Sequence, residues 1–553
     1  NKVIDRLTKG QIVLGEMASP VKVNIHQFYG IEINDFACVV AKTAMWIAEL
    51  QMMQETQSIV EMNLDFLPLK SYVNIVEGNA LRMDWQEVLP AGECNYIMGN
   101  PPFVGYSLQS KEQKADMLDI YVDEKGKSYK TAGKIDYVAG WYFKAAEYIQ
   151  NTGVRTAFVS TNSITQGEQV AAVWKPIYDR FGIHIDFAWR TFIWNSESNE
   201  KAHVHCVIIG FSTRENTTDT IQRQNKFNSA TKNNYVNVLS LNGKFNKILY
   251  ETTVTPRVVC EINPYLLEGK PVFINSRRSA LCEVPAMING GKPAEGGNLI
   301  LTEAEKDELL IKEPQAEKFI RPFMMGKDFI DRKPRYCLWL VNALPQDIRK
   351  CPEVMKRVTA VREFRLNSKK PATQRKADTP TLFDEVRDSK TNYIALPKVS
   401  SQNRRYIPMD FLSHNIIAGD KLFMLSEVSL YHFGVLMSNV HMAWMRVVAG
   451  RLKSDYSYSN TVVYNNFPWP TPTDAQKAKI EKTSQGILDA RAKYPDSSLA
   501  DLYDEVLMPP ELRKAHQAND RAVMEAYGFW GKLNTESECV AQLMKMYQKL
   551  VDK

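Results

Sequence analysis

Residues 94–106, CNYIMGNPPFVGY, decide how the N-terminal part of this chain is expected to fold. The apolar letters YIM are typical of the end of a buried strand, and Gly99 ends that strand. The two prolines that follow donate no backbone N–H, and each forces its predecessor into an extended conformation. The stretch therefore predicts a stiff loop at a strand end, with the Asn100 amide and the Phe103 ring in a fixed relation. A turn that only stops the strand is the competing interpretation.

Length and composition limit the class of protein. A chain of 553 residues with 44% hydrophobic and 24% charged residues is expected to form about two to four globular domains. No apolar run approaches the roughly 20 residues of a membrane-spanning helix, so we expect no membrane contact. The eight cysteines include no C-x-x-C pair, which favours reduced thiols in the cytoplasm over disulfides or a zinc knuckle.

The surplus of positive charge is concentrated in one stretch. The net charge is +6, but residues 346–405 alone hold fifteen Lys or Arg against seven Asp or Glu. The spacing in RKCPEVMKRVTAVREFRLNSKKPATQRK predicts a helix with a basic face. A surface that binds phosphate backbone and a merely solvated helix face both fit this pattern. Lys369 and Lys370 are the candidates for backbone contacts.

The order of strand-like and helix-like segments divides the chain into four parts. These are an α/β domain with a Rossmann-like sheet at 1–213, a connector at 214–255, a mixed α+β region at 256–470, and a helical C-terminal region at 471–553. The last part opens with Thr473 and Gln476, whose spacing predicts a capping box.

Polar side chains follow three predicted strands of the α/β domain. Glu32 lies in GIEIN, Asn79 in EGNAL and Asn100 in GNPPF. Ligands of open α/β sheets bind outside the carboxyl ends of the strands. An acidic residue after one strand can accept hydrogen bonds from both ribose hydroxyls of a nucleoside, and Asn after the next can accept one from an adenine amino group. A turn or helix-capping role for Glu32 and Asn79 is the alternative.

These motifs together resemble the class I, S-adenosylmethionine-dependent DNA adenine-N6 methyltransferases. The similarity runs through YGIEIN, GNAL, NPPF, the unit YFKAAEYIQNTGVRTAFVSTNSI and the strand HVHCVIIGF. Beyond them, INPYLLEG, IRPFMMGKDFI, RYCLWL, GRLKSDYSYS and YNNFPWP are similar to the single-chain MmeI-like restriction–modification proteins. The resemblance implies S-adenosylmethionine as cofactor, no metal for methyl transfer, double-stranded DNA as partner and an upstream nuclease domain in the parent chain.

The resemblance also implies roles for individual residues. It places catalysis at Asn100, Pro101, Pro102 and Phe103, and cofactor binding at Gly30, Glu32, Ile33, Asn79, Ala80 and Asn100. Aromatic side chains hold a flipped base by stacking. Phe103 is one such platform, and Trp194 is expected to form the opposite wall in preference to Phe192. Core packing is the alternative for Trp194 and Phe192.

One departure from the family concerns the start of the methyltransferase core. The family begins with a strand and a glycine-rich loop that hold the methionine part of the cofactor, and no stretch before Glu32 has that form. We expect the missing strand and loop upstream of Asn1. We expect the nuclease there too, because PD and (D/E)xK motifs do not follow in the required order within the chain. His203 and His205 share a strand face but lack a third ligand at a suitable spacing, which favours a structural role.

Basic and aromatic residues before the C-terminal region predict DNA recognition. In GRLKSDYSYS, Arg451 and Lys453 are two residues apart and would share one face of a strand. Arg makes bidentate contacts with guanine in the major groove, and Lys or Asp can contact other base edges. Arg404 and Arg405 in SQNRRY are expected to contact the phosphate backbone. An ion pair between Arg451 and Asp455 is the alternative.

The sequence thus predicts a methyltransferase that modifies adenine N6 in a specific duplex sequence, within a restriction–modification protein. A methyltransferase that acts on RNA or on a protein glutamine shares the Asn-Pro-Pro-aromatic loop and is one alternative. A DNA-binding specificity module without catalysis is another.

Overall fold

The computed structural model of the protein describes residues 23–60, 74–194, 204–213, 247–250 and 256–552. The chain divides into two compact units. The first contains the described residues up to Thr165 and those of 169–273, and the second contains 166–168 and the described residues from Ile274 onward. His203 and most of the predicted connector lie outside the described residues.

The described residues of the first unit form two sheets. Their strands are β1 (Tyr29–Glu32), β2 (Asn74–Glu77), β3 (Tyr96–Gly99), β4 (Arg155–Thr161), β5 (Ile183–Trp194), β6 (Val204–Thr213), β7 (Lys247–Tyr250) and β8 (Pro256–Val259). Strands β1 and β2 pair in parallel, and the others form a sheet in the order β3-β4-β6-β5-β7-β8. Strand β3 is parallel to β4, whereas β6 is antiparallel to both β4 and β5. Strands β3, β4 and β5 therefore end at the same edge of the sheet.

The helices that connect these strands complete an α/β domain. In the described part of the chain they are α1 (Asp35–Val60), α2 (Trp85–Val88), α3 (Lys111–Ile120), α4 (Ala139–Tyr148) and α5 (Gly167–Phe181). The Tyr142 ring of α4 lies 5.2 Å from the Phe158 ring of β4 and 5.2 Å from the Trp174 ring of α5. All three side chains are buried, so aromatic packing joins the helices to the sheet. The predicted α/β fold is confirmed.

Helix α1 differs from α4 and α5 because its apolar side chains are exposed. Phe36, Val39 and Ile47 are 73%, 61% and 52% exposed. By length and composition alone, residues 35–58 are apolar enough to cross a membrane. The sequence prediction did not identify this segment. In the structure, α1 contacts β1 and β2 as the connecting helix of a parallel pair.

The second unit combines small sheets with helices, which confirms the predicted α+β region followed by a helical one. Its described strands are β9 (Met287–Asn289), β10 (Ile300–Leu301), β11 (Ile320–Met324), β12 (Arg335–Leu338), β13 (Tyr393–Pro397), β14 (Val399–Ser400), β15 (Asp410–Leu412), β16 (Ile417–Ala418), β17 (Leu422–Leu425), β18 (Gly450–Leu452) and β19 (Asp455–Ser457). They form sheets with the orders β10-β12-β11-β16, β15-β13-β17-β9 and β14-β19-β18.

The helices of the second unit surround these sheets and supply its C-terminal part. They are α6 (Glu303–Lys312), α7 (Gly326–Ile330), α8 (Pro345–Arg349), α9 (Pro352–Leu366), α10 (Pro371–Gln374), α11 (Leu430–Leu436), α12 (Asn439–Val448), α13 (Asp474–Ala492), α14 (Leu499–Leu502), α15 (Pro510–Ala526) and α16 (Glu536–Val551). The predicted capping box is present at the start of α13, where the Thr473 side chain accepts from the Gln476 N–H. One buried core includes Phe323 of β11, Cys337 of β12 and Val354 of α9.

The predicted basic helix is α9, but much of its charge is engaged within the unit. Arg365 is fully buried. Lys356 pairs with Glu353 at 2.6 Å, and Arg357 pairs with Glu305 at 3.3 Å. The basic surface that α9 offers is therefore narrower than the sequence predicts.

Candidate active site

The loop after β3 presents the Asn100 amide at the carboxyl end of the sheet. Pro101 is buried, whereas Asn100, Pro102 and Phe103 are exposed, and the exposed fraction of the Phe103 side chain is 36%. Pro101 anchors the loop and leaves the side chain before it in solvent. Among the described residues, neither the Asn100 amide nor the Pro101 carbonyl has a hydrogen-bond partner. Within the described part of the chain, both oxygens therefore keep their capacity to accept a hydrogen bond.

Hydrogen bonds hold the rest of this loop to a segment just before α4. The Tyr137 N–H donates to the Val104 carbonyl at 2.9 Å, and the Tyr106 N–H donates to the Asp136 carboxylate at 3.0 Å. Within the loop, the Val104 N–H donates to the Pro102 carbonyl at 3.1 Å. The predicted stiffness of the loop therefore has a tertiary component in addition to its prolines.

The predicted cofactor residues Glu32 and Asn79 follow neighbouring strand ends. Glu32 lies opposite Glu77 in the parallel ladder, and Asn79 comes two residues after Glu77. One Glu32 carboxylate oxygen accepts from the Asn34 N–H at 3.2 Å, and the other has no partner among the described residues. An open carboxylate oxygen at this edge has the chemistry needed to accept from a ribose hydroxyl.

The Asn79 amide is held at both ends. Its Oδ1 accepts from the Leu81 N–H at 2.9 Å, and its Nδ2 donates to the Asp116 carboxylate at 3.3 Å. Asp116 is 5% exposed, and it also accepts from Arg82 Nε at 2.6 Å and from the Tyr137 hydroxyl at 2.8 Å. Burial, followed by the bond to Asp116, raises the pKa of Tyr137, so the hydroxyl remains a donor.

The three remaining cofactor candidates have less distinctive surroundings. Gly30 lies within β1, Ile33 is 67% exposed, and the Ala80 carbonyl accepts from the Trp85 indole N–H at 2.8 Å. A Cβ at position 30 would meet Ile75 at 3.5 Å, an ordinary contact, so the strand does not require glycine there. Cofactor binding by these residues stays a prediction.

The Rossmann-like sheet is described in two pieces, and each holds part of the candidate site. Strand β1 pairs with β2, and β3 pairs with β4, so each has one paired edge among the described residues. Tyr29 of β1 is 43% exposed, and Tyr96 and Met98 of β3 are 72% and 81% exposed. One piece carries the cofactor candidates, and the other carries the candidate catalytic loop.

Trp194 ends β5, which runs in the same direction as β3 and continues beyond the level at which the Asn100 loop begins. Its side chain is 51% exposed, and its ring centroid lies 6.4 Å from that of Phe192. Two strands separate β3 from β5, roughly 14 Å across the sheet at the usual strand spacing. Trp194 also pairs with Val204, whereas the end of β3 is level with Ile209 of β6, so Trp194 lies roughly 17 Å further along the strands. Both Phe103 and Trp194 would have to lean across this distance to hold one base, so the opposite wall stays a prediction. The residues after Trp194, 195–203, lie outside the described residues.

Arg404 and Arg405 line a cavity of about 660 Å³ in the second unit. Arg404 is half-buried, and desolvation lowers its pKa. Among the described residues no carboxylate lies within ion-pair distance of it. Arg405 is exposed above the Tyr406 ring, with 5.8 Å between the guanidinium carbon and the ring centroid. Backbone contacts by these two arginines fit this exposure and stay predictions.

The structure corrects the predicted placement of Lys453. Strands β18 and β19 form a hairpin, and Lys453 lies in its two-residue turn at φ 56°. Lys453 therefore does not share a strand face with Arg451, because a turn residue does not continue the alternation of the strand. The left-handed conformation is unfavourable for a lysine, and such strain is common at functional sites. The turn exposes the Lys453 side chain.

Arg451 is engaged within the hairpin, although not in the ion pair considered for it. Its guanidinium lies 4.3 Å from the Tyr456 ring centroid. It donates to the Ser454 carbonyl at 2.8 Å and to the Gln402 side chain at 3.2 Å. The ion pair with Asp455 does not form. A base contact by Arg451 would have to replace or extend these bonds.

Lys369 and Lys370 are exposed between α9 and α10. In the part of the chain that the structure describes, neither ammonium group has a carboxylate partner. Two adjacent unpaired cations at the surface are suited to phosphate backbone, which binds chiefly through charge.

The described residues offer no arrangement of three His, Cys, Asp or Glu side chains that could hold a metal ion. The eight cysteines, all within the described ranges, are free thiols in the structure. Burial raises the pKa of Cys337 and of Cys539 to about 12, so these thiols stay protonated and unreactive.

Asp116, Asp136 and Tyr137 contact the candidate site but were not predicted from the sequence. Tyr137 and Asp136 occur in KIDYVAGWYF, where a single aspartate interrupts the apolar start of a helix. An acidic residue at the beginning of a buried helix is a signal that could have identified Asp136, since buried carboxylates need specific partners. Asp116 lies on the polar helix α3 and gives no such signal.

Models of three protein domains match this chain and together cover most of it. They are described as the MmeI DNA-methyltransferase domain at 1–223, the MmeI target recognition domain at 268–471 and the MmeI C-terminal domain at 472–553.

Two relatives are similar over the whole chain. The structure of the type IIL restriction–modification enzyme MmeI in complex with DNA is 40% identical, with a TM-score of 0.81, and the match covers 100% of this chain and 71% of that one. DNA methyltransferase A of Bacillus subtilis (strain 168) is 36% identical over 555 residues, which is 100% of this chain and 59% of the relative. The chain thus spans less than two thirds of that relative. It belongs to the MmeI family of type IIL restriction–modification proteins and carries the methyltransferase, target recognition and C-terminal domains of that family.

Proposed function

We propose that this protein transfers a methyl group from S-adenosylmethionine to N6 of an adenine flipped out of duplex DNA. It acts in the cytoplasm as part of a restriction–modification protein. The observation that carries the proposal is a pair of acceptors at the end of β3, the Asn100 amide and the Pro101 carbonyl, which have no partner among the residues that the structure describes. They adjoin the exposed ring of Phe103 on a loop that hydrogen bonds hold in place.

The two acceptors suit the chemistry of an exocyclic amino group. The lone pair of adenine N6 is delocalised into the ring, which makes the nitrogen a poor nucleophile. Hydrogen bonds from its two N–H groups to Asn100 Oδ1 and to the Pro101 carbonyl favour a pyramidal nitrogen with a localised lone pair. Positioning and fixed dipoles then supply most of the rate enhancement.

The target base reaches these acceptors only after it leaves the duplex. A flipped base is held by stacking on aromatic side chains and by hydrogen bonds to its polar edge. The exposed Phe103 ring lies two residues after Pro101, so one short loop provides both kinds of contact. Trp194 would close the opposite side.

The described residues fit the adenosine end of the cofactor. Glu32 offers an open carboxylate oxygen for the ribose hydroxyls, and the Asn79 amide is oriented beside it. When bound, S-adenosylmethionine supplies an electrophilic methyl group. The chain's own contribution is to hold the adenosine end at β1 and β2 and to place the amine acceptor at β3.

DNA recognition is assigned to the second unit. Lys369, Lys370, Arg404 and Arg405 contact the phosphate backbone, because they are cations without ion-pair partners in the described part of the chain. The hairpin that carries Arg451 and Lys453 approaches base edges. These contacts fix the register that selects one adenine.

The test uses the full-length protein with methyl-labelled S-adenosylmethionine and, separately, duplex DNA, RNA and protein. We expect label in duplex DNA, and digestion to nucleosides should release N6-methyladenine. Label in cytosine would reject adenine as the acceptor base. Label in RNA or in protein glutamine would overturn the proposal, and DNA binding without label transfer would indicate a specificity module.

A further inference from the structure

We infer that two buried carboxylates, Asp136 and Asp116, are positioning residues that orient the catalytic loop and the adenosine-binding amide. The inference rests on the proposed function and names what fixes the geometry of its site. Asp136 acts on the loop that carries Asn100, and Asp116 acts on Asn79. Neither carboxylate touches a reacting atom.

Asp136 ties the loop after β3 to the end of the neighbouring strand β4. It is 9% exposed, and its Oδ1 accepts from the Tyr106 N–H at 3.0 Å. Its Oδ2 accepts from the hydroxyl of Ser163, which follows β4. The Asp136 N–H donates to Gln169 Oε1 at 3.1 Å, and this bond fixes the backbone of Asp136. Because both carboxylate oxygens and the backbone N–H of Asp136 have partners, its hydrogen bonds favour a single position of the loop.

Tyr137 connects this contact to Asp116. Its N–H donates to the Val104 carbonyl of the loop at 2.9 Å, and its hydroxyl donates to Asp116 Oδ2 at 2.8 Å. The same Asp116 oxygen accepts from Asn79 Nδ2 at 3.3 Å. A path of hydrogen bonds thus joins the loop that carries Asn100 to the amide at the end of β2, although the described residues show these elements in two separate sheets.

The two carboxylates differ in the donors that they receive, and this difference makes the inference testable. Asp136 accepts from one amide and one hydroxyl, and a hydroxyl can also accept. Asparagine at 136 would therefore keep both bonds. Asp116 accepts from Arg82 Nε at 2.6 Å as well as from Asn79 and Tyr137. Asparagine at 116 would turn its NH₂ group toward Arg82 or Asn79, and neither of these groups can accept there.

Asp136→Ala should lower kcat, because the loop loses the contact that fixes Tyr106. A displacement of about 1 Å in a positioned group costs up to about 100-fold in rate, so we expect a loss on the order of 10- to 100-fold. The KM for S-adenosylmethionine should change by less than about threefold, since no hydrogen bond among the described residues joins Asp136 to Glu32 or Asn79, which are proposed to hold the adenosine end. Asp136→Asn should rescue most of the lost rate.

Asp116→Asn should show the opposite split. The KM for S-adenosylmethionine should rise on the order of tenfold, while kcat at saturating cofactor changes less.

Ser163→Ala removes one of the two bonds of Asp136 and tests the loop with less disturbance, so it should lower kcat by a smaller factor than Asp136→Ala. Asp123→Ala is the matched control, because Asp123 accepts from the Lys125 and Lys127 N–H groups at 2.9 Å in a turn that the site does not use.

The experiment measures kcat and KM on the full-length protein and amide hydrogen exchange across residues 99–108. Faster exchange at Tyr106 in Asp136→Ala and Ser163→Ala, with wild-type exchange in Asp136→Asn, is expected. Wild-type kcat and wild-type exchange in Asp136→Ala would overturn the inference, as would equal losses in its Ala and Asn variants. If the wild type transfers no methyl group, the proposed function fails, and the exchange measurement alone still decides whether Asp136 holds the loop.

Discussion

Helices α1 and α12 use similar apolar sequences in opposite ways. Trp444 and Met445 of α12 are at most 1% exposed, whereas Phe36 and Val39 of α1 are 73% and 61% exposed. Helix α12 contacts α11, α15 and α16 within the second unit. Helix α1 contacts β1 and β2, and its apolar face has no covering element among the described residues. Apolar spacing therefore predicts which face of a helix can be buried. Whether that face is buried depends on a second element, which the sequence of the helix does not reveal.

Polar groups show the same contrast between the two units. Arg365 in the second unit donates to five backbone carbonyls, at 2.6 to 3.3 Å. Asn100 in the first unit has no partner among the described residues. A polar group that is saturated inside the protein contributes to stability, and one that is left open is available for a ligand. The predictions below test this division, from the largest expected effect to the smallest.

Arg365→Met should destabilise the second unit by about 3–5 kcal/mol, because several buried carbonyls lose their donor. The Arg365 carbonyl partners lie in two separate segments of the chain, at Pro293 and Ala294 and at Lys376, Thr379 and Leu382. Urea unfolding followed by hydrogen exchange in peptides of the second unit measures the change. Arg362→Met on the same helix is the control, since Arg362 is exposed, and it should cost less than about 0.5 kcal/mol. Equal effects of the two variants would contradict the assignment of Arg365 to stability.

Asn100→Ala should lower the rate of methyl transfer on the order of 100-fold or more, because one of two oriented acceptors is lost. The unfolding free energy of the first unit should stay within about 0.5 kcal/mol of wild type, since an exposed side chain without partners is removed. Asn95→Ala is the control, because Asn95 is also exposed but lies before β3. It should keep wild-type kcat. Near-normal methylation by Asn100→Ala in the full-length protein would refute the catalytic role.

Asp520→Asn should change how the stability of the second unit depends on pH. Burial raises the pKa of Asp520 to about 6, and its carboxylate accepts from the Tyr406 hydroxyl at 2.6 Å and from the Asn439 N–H at 2.7 Å. A carboxyl with a raised folded-state pKa contributes stability at low pH that is lost as pH rises through about 6.

The wild type should therefore lose on the order of 2 kcal/mol relative to Asp520→Asn between pH 4 and pH 7. The comparison with the variant is needed because burial lowers the pKa of His441 to about 4. His441 therefore makes the stability rise with pH over the same interval, and this change is present in both proteins. Denaturant midpoints of both proteins across this range measure the difference. A constant difference at every pH would show that Asp520 does not titrate there.

Arg451→Ala and the double change Lys369→Ala with Lys370→Ala should separate base recognition from backbone binding. Arg451→Ala should reduce discrimination at one base pair by roughly 1–3 kcal/mol. The lysine variant should weaken binding to all duplexes and flatten the salt dependence, because two phosphate contacts are lost. Equilibrium binding to the matched duplex and to single-mismatch duplexes at several salt concentrations distinguishes them. Equal losses on every duplex for Arg451→Ala would reduce it to a phosphate contact.

Several features were predictable because they depend on residues close together in sequence. The Asn-Pro-Pro-Phe loop, the strand ends at Glu32 and Asn79, and the Thr473 cap follow from backbone restriction and from short-range hydrogen bonds. The predicted pairing of Arg451 with Lys453 on one face was wrong because a tight turn interrupts the strand between them. A two-residue turn without Gly or Asn gives no strong signal in the sequence.

The sequence by itself determined the order of elements and the residue types of the candidate catalytic loop, since strand ends and proline act locally. The tertiary structure decided which polar groups are left open. Asp116, Tyr137 and Asp136 meet Asn79 and the loop after β3 across tens of residues of chain, and Arg365 is buried against carbonyls more than seventy residues away. The burial of a group and the identity of its hydrogen-bond partners depend on such distant segments, so spacing in one chain does not reveal them.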